Sequence, residues 1–219
     1  MTNLTDIDAL ADKLTAAMPR LDATEQRIAL TLVRQLALGA PVSVGGLATA
    51  AELSEAQIAD TLDQLPGVFR DEEQRVVGFI GLTVVEMGHH RIHVDGRRLS
   101  AWCAWDTLFL PELLGETAYV TSRSPTSDAE ISLTVTPTGP TDMRPADTVV
   151  SFLLPESEFD ADVIQRFCHF VHFFASPEVG ARWTTQRPGT FLLSVDDAYS
   201  LGQLTNHAAF DAVLATGGR

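Results

Sequence analysis

Two short segments of the chain hold nearly all of its unusual chemistry. The first runs Arg98-Leu99-Ser100-Ala101-Trp102-Cys103-Ala104-Trp105-Asp106-Thr107-Leu108. The second runs Arg166-Phe167-Cys168-His169-Phe170-Val171-His172-Phe173-Phe174-Ala175-Ser176. Cys103 and Cys168 are the only cysteines. Cys103 and Asp106 stand three apart, which on a helix places both on one face. An ionised carboxylate beside a thiol opposes thiolate formation, whereas a protonated one is an acid within reach of it. Trp102 and Trp105 flank the pair and supply an apolar wall that lifts a carboxyl pKa. The plainer reading leaves Asp106 as a surface cap and Cys103 as a packed core residue.

In the second segment Cys168 lies among aromatics, with His169 and His172 close by. Cys and His in one apolar run invite a zinc or copper reading. The spacing lacks the repeated ligand pairs of a structural zinc site, and His172 alone reads more readily as a satisfied buried histidine. Two thiols are too few for a disulfide scaffold. Inert burial, metal ligation and reactivity all remain open for them at this point.

The elements that must position these residues are legible in part. Leu4 to Met18 and Thr24 to Leu38 carry apolar residues near the helical period, stopped by Pro19 and by Gly39 with Pro41. A short helix is expected over Val44 to Leu53. Ser54 with Gln57 forms a capping box that opens a helix from Glu55 to Leu65. Pro66-Gly67 turns the chain into strands at Val68 to Arg70 and Arg75 to Leu82. Beyond Leu82, strands are expected at Leu82 to Val85, Arg91 to Val94, Thr117 to Thr121, Ile131 to Thr136 and Thr148 to Leu154. Leu99 to Leu110 reads as a helix or a tight helical turn, broken by Pro111. Phe167 to Phe174 reads as a central strand or a buried helix. Ser176-Pro177 opens a helix, Phe191 to Val195 is a strand, and a last helix covers Val195 to Leu214.

The expected fold class is α+β. A helical, winged-helix-like region over residues 1–82 is followed by an α+β catalytic domain over 83–219, with a mixed, mainly antiparallel sheet and flanking helices. Winged-helix modules often bind DNA, but the candidate recognition helix Glu55–Leu65 has three carboxylates and no Lys or Arg. The net charge of −14, with 29 acidic and 15 basic side chains, repels phosphates and anionic membranes alike. No nucleic-acid or membrane partner is therefore expected. No apolar run approaches a membrane span, and the first residues lack a secretory pattern, so the expected location is cytoplasmic.

Trp-Cys-x-x-Asp at 102–106, joined to Phe-Cys-x-x-Val-His-Phe-Phe at 167–174, resembles the two signatures of the organomercurial (alkylmercury) lyases. The likeness extends to Val77–Thr83, Ile131–Val135, the helical N-terminal region and Leu201-Gly202-Gln203, nearly the whole chain. It implies an enzyme that cuts carbon–mercury bonds, with Cys103 and Cys168 as the mercury-binding thiols and Asp106 as the proton-handling carboxylate. It implies no organic cofactor: Hg(II) is a bound product, held by Cys103, Cys168 and Asp106, and external thiols are co-reactants. Mercury is soft and prefers thiolates. Two of them load electron density onto the metal, and the leaving carbon then needs a proton from a positioned acid.

The implied partners are an alkyl- or arylmercury substrate, small thiols and a mercuric reductase as metal acceptor. Trp102, Trp105, Phe167 and Phe170 are candidates for the pocket that takes the organic group. Two departures from the family pattern are visible. Ser124 stands where members often have a third cysteine, and His169 where some have another cysteine after Cys168. The alternatives are a non-catalytic thiol-based copper or mercury carrier, which has no need of Asp106, and a metal-responsive regulator built on the winged-helix region.

Overall fold

The computed structural model describes residues 6–127 and 129–214. Leu4 and the rest of the first five residues, on which the reading of the N-terminus partly rests, lie outside them. The chain opens with four helices: α1 (Ile7–Ala17), α2 (Ala23–Leu36), α3 (Val44–Ala51) and α4 (Glu55–Gln64). Each begins where a short polar side chain can accept from its free N–H groups. Asp22 and Glu25 form a reciprocal capping box on α2, and Ser54 and Gln57 do so on α4. The apolar face of α1, with Leu14 fully buried, packs against the last long helix of the chain, and that of α2, with Ile28, Leu32 and Leu36 fully buried, packs against α3 and the second half of the chain.

An eight-stranded antiparallel sheet follows, in the order β1-β2-β3-β5-β4-β6-β7-β8. Its strands are β1 (Phe69–Arg70), β2 (Val76–Phe79), β3 (Leu82–Thr83), β4 (His90–Val94), β5 (Arg97–Ala101), β6 (Ala118–Arg123), β7 (Glu130–Thr136) and β8 (Gly139–Arg144). Alternation fixes its faces: Ile131, Leu133 and Val135 of β7 are fully buried while their neighbours are not. A second, three-stranded sheet has the order β10-β9-β11, with β9 (Val149–Leu153) between β10 (Phe173–Phe174) and β11 (Thr190–Ser194). The helices of this half are α5 (Asp106–Leu114), α6 (Val163–Arg166), α7 (Pro177–Thr184), α8 (Val195–Ala209) and α9 (Asp211–Leu214). The α+β class with a mainly antiparallel sheet is thus the observed one.

Three local readings need correction. The segment expected to be helical from Leu99 starts as strand β5, because Asp95 and Gly96 adopt φ of 46° and 75° and form a two-residue hairpin that pairs Val94 with Arg97. The helix begins only at Asp106. Pro111 lies inside α5 and does not end it; Gly115, in the left-handed region, caps it. Burial on nearly every side of α5 outweighs the missing hydrogen bond, since Leu108, Leu110 and Leu113 are fully enclosed. The run from Phe167 is neither a long strand nor a helix. It is a 3-10 turn at Cys168–Phe170, followed by β10. The last helix breaks at Phe210 into α8 and α9.

Candidate active site

Cys103 sits in the tight turn between β5 and α5, and Asp106 is the first residue of α5. The two are not on one helical face. Asp106 folds back over the turn, and its Oδ2 accepts the backbone N–H of Cys103 at 2.6 Å. The acid thus ties down the turn that precedes its helix rather than capping it, and α5 has no side-chain hydrogen bond at Trp105, its N-cap. Thr107 fixes the same turn by donating its Oγ1 hydroxyl to the Ala104 carbonyl at 2.7 Å.

Cys168 arrives from a segment 65 residues downstream, at the start of the 3-10 turn. The two segments are tied directly: the Ala104 N–H donates to the Val171 carbonyl at 3.1 Å. Ser151 of β9 locks the turn from behind. Its hydroxyl donates to the Phe170 carbonyl at 2.7 Å and accepts the His172 N–H at 3.0 Å. The result is one cluster. A sulfur of Cys103, a sulfur of Cys168 and a carboxylate oxygen of Asp106 all lie within 4.8 Å of one another. Among the described residues no other group of three or more Cys, His, Asp or Glu converges so. Both cysteines are free thiols.

All three groups are buried, at 0% exposure for Cys103, 5% for Asp106 and 4% for Cys168. Burial penalises their charged forms. It pushes Asp106 from 3.8 up to about 7, against the opposing pull of hydrogen bonds from Cys103 and the Trp102 backbone. Burial drives the Cys103 thiol well above its usual value, helped by its hydrogen bond to Cys168 and the Asp106 charge. At Cys168 the hydrogen bond with Cys103 pulls the pKa down, but burial and the Asp106 charge leave it raised overall. At neutral pH the resting site thus holds two thiols and a carboxyl group divided between its two forms. Such a carboxyl gives and takes protons with little bias.

Asp106 and Cys168 open onto a cavity of about 140 Å³ with a largely apolar wall. Trp102, Trp105 and Phe167 line it as expected, whereas Phe170 does not. The 3-10 turn carries Phe170 away, against the ring of His169. Trp105 is held by its indole N–H, which donates to the Ala198 carbonyl of α8 at 2.9 Å. It packs edge-on against Phe109, Phe152 and Phe167. The other walls come from elements remote in sequence: Met18 and Leu21 near α1, Phe159 and Val163 before and in α6, and Phe210 after α8.

Gly81 is the wall residue whose role is least evident from its type. It has φ of +80°, and a Cβ placed there would lie 2.4 Å from the Asp106 carboxyl carbon. Its carbonyl accepts the Trp102 N–H at 2.9 Å. A side chain at this position and the observed Asp106 carboxyl exclude each other. The stretch Val77–Thr83 contained this glycine, but nothing in its spacing linked it to a carboxylate 25 residues away.

Comparison with known proteins gives the family of the chain. Residues 85–206 match the family model of alkylmercury lyase. An alkylmercury lyase of Pseudomonas putida is 44% identical over 178 residues, 81% of this chain and 82% of that protein. One from Staphylococcus epidermidis is 40% identical over 78% of each chain, and one from Streptomyces lividans 39% identical over 89% of each. Among solved structures, the mercury-bound form of MerB2 superposes with a TM-score of 0.74 over 93% of this chain and 98% of that one. At 23% identity this last likeness speaks for the fold alone. A family match that spans both cysteine segments, joined to relatives alike over most of their length, places this chain in the alkylmercury lyase family.

Proposed function

We propose that the protein cleaves the carbon–mercury bond of organomercurials by protonolysis, with Cys103 and Cys168 as mercury ligands and Asp106 as the proton carrier. The observation that carries this reading is the buried convergence of two thiols and one carboxyl with a pKa raised to about 7. Cys103 exchanges its proton for R–Hg(II), displacing a small thiol or other ligand. The Asp106 carboxylate then takes the proton of Cys168, and the resulting thiolate adds to mercury. The carbon–mercury bond breaks with its electron pair on carbon, and Asp106 delivers the proton there. The hydrocarbon RH leaves, Asp106 is a carboxylate again, and Hg(II) rests between two thiolates. The sum is R–Hg(II) plus two thiols giving RH, a dithiolate mercury(II) and one proton.

The cavity's apolar wall suits a small alkyl or aryl group and excludes water that would otherwise solvate the developing charges. Trp102, Trp105 and Phe167 contact that group, joined by Phe79 and Phe109. External thiols, or the cysteine pair of a mercuric reductase, remove Hg(II) by exchange. A reducing cytoplasm is the setting in which both thiols stay free. No helix among the described residues is long and apolar enough to cross a membrane.

The test is release of benzene from phenylmercury by the purified protein in excess thiol, beside Asp106→Ala and Cys168→Ser. Benzene from the parent chain and none from either variant is expected. Tight mercury binding without benzene, unchanged in Asp106→Ala, would replace the enzyme by a carrier built on the same thiols.

A further inference from the structure

A second cleft lies on the other side of the Cys168 turn. It encloses about 550 Å³ and is bordered by His89, His169, His172, Arg182 and Arg187. Its volume falls in the range of small-molecule sites. Its composition runs against the rest of the molecule. The chain carries −14 overall and six histidines, yet three of those histidines and two arginines gather here, and no carboxylate among the described residues lines the cleft.

The two arginines also lack a contact ion pair. Neither Arg182 nor Arg187 forms an ion pair among the described residues. Glu178, one turn before Arg182 on α7, attracts it through space only. Arg187 is braced for presentation: its guanidinium lies over the Trp183 ring at 4.1 Å and donates to the Trp183 carbonyl at 3.3 Å. That stacking leaves further N–H groups of the fork unspent. Thr126, Ser127 and Gln186 add neutral donors to the rim. His172, in the wall, donates from Nε2 to the His169 carbonyl at 2.8 Å. Its buried Nδ1 has no partner, the one such side-chain atom among the described residues. A metal does not fit, because these imidazoles do not converge with any third ligand as the Cys103 cluster does.

We propose that this cleft binds a small oxyanion-bearing molecule, a carboxylate or a phosphate ester, at a site separate from the mercury cavity. Arg182 and Arg187 grip the anion, and Gln186 with the rim hydroxyls orients the rest. A braced guanidinium at Arg187 beside a free one at Arg182, in a concave site, can make charge-assisted bonds of the kind that hold such groups most firmly.

The experiment is calorimetric titration of the full chain at low ionic strength with citrate and, separately, with inorganic phosphate. Saturable one-to-one binding of at least one probe is expected, and the tighter of the two tells whether the ligand class is carboxylate or phosphate. Arg182→Ala, at an exposed position where packing is not at stake, should weaken it at least tenfold. Arg187→Ala should do the same, while Arg20→Ala, at an exposed position that does not line the cleft, leaves it unchanged. Absence of saturable binding by both probes overturns the proposal. So does binding that survives Arg182→Ala and Arg187→Ala together, which would mean diffuse attraction to the surface.

Discussion

Replacing Asp106 by Asn isolates the proton that the site is built to hold. The carboxyl has a pKa raised to about 7 in the folded chain, against 3.8 in its ordinary state, and burial is the leading cause. Between these two values the folded chain binds a proton that the unfolded chain has lost. Stability therefore falls as pH rises through the window, and the whole penalty is present above pH 7. Below the ordinary value both states are protonated and no penalty exists. A shift of about three units corresponds to about 4 kcal/mol at full ionisation. Asn keeps the shape and an acceptor for the Cys103 N–H but has no charge to desolvate. The stability difference between Asp106→Asn and the parent should then grow by about 4 kcal/mol in favour of Asn from pH 4 to pH 8. For a chain of this length that is roughly 10 °C in Tm. Thermal unfolding of both proteins at pH 4, 5, 6, 7 and 8 measures it, with loss of benzene release checked on the same samples. A gap that stays flat across this range would refute the reasoning, since Asp106 would then be ionised in both states throughout.

Gly81→Ala should lower turnover of phenylmercury by about a hundredfold, the cost of roughly 1 Å of misplacement, because its Cβ would displace the Asp106 carboxyl. Hg(II) titration of the same variant should still find both thiols, so equal loss of binding and turnover would point to unfolding. The pH profile of kcat/KM should rise through about 7 as Asp106 becomes able to take the Cys168 proton. A profile flat from pH 5.5 to 8.5 would remove that step. Trp105→Phe removes the indole bond to the Ala198 carbonyl, which keeps its place in the α8 ladder, and should cost about 0.5–1.5 kcal/mol in denaturant unfolding, with the aromatic packing kept.

How far the sequence revealed the site depends on the range of the interaction. The cap of Ser54 with Gln57 appears as expected, because both partners sit in one local pattern; the like pair Asp22 and Glu25 was equally local but went unread. The alternating residues of β7 likewise name their own buried face. Strand β8 escaped notice because Gly139 and Pro140 read as a loop; it lies at the edge of its sheet, where a proline is tolerated. Residue types alone left Cys103 and Cys168 open between inert core and chemistry, and only the family resemblance joined them. Their meeting rests on long-range contacts such as the Ala104 to Val171 bond and the Trp105–Phe167 ring pair, and on Ser151 of β9 bracing the turn. Phe159, Phe210 and Met18 entered the cavity wall from elements that no local period connects to it.

The enclosure explains why a carboxyl, and not a stronger base, can serve both halves of the proposed reaction. Three ionisable groups within 4.8 Å cannot all be charged in a dry pocket, so each anion raises the cost of the next. Before substrate arrives, that coupling keeps both sulfurs as thiols, the form least prone to oxidation. In the proposed reaction mercury reverses that coupling. A cation bound to Cys103 stabilises a nearby thiolate, so the proton of Cys168 can pass to a carboxylate whose affinity burial has already lifted to about 7. That same affinity is low enough to surrender the proton to a carbon acquiring carbanion character. A solvated aspartate at 3.8 would be too weak a base for the first transfer. Gly81, by leaving room for the carboxyl to fold back on the Cys103 turn, keeps the group beside both sulfurs and at the cavity wall, where the two proposed transfers need it.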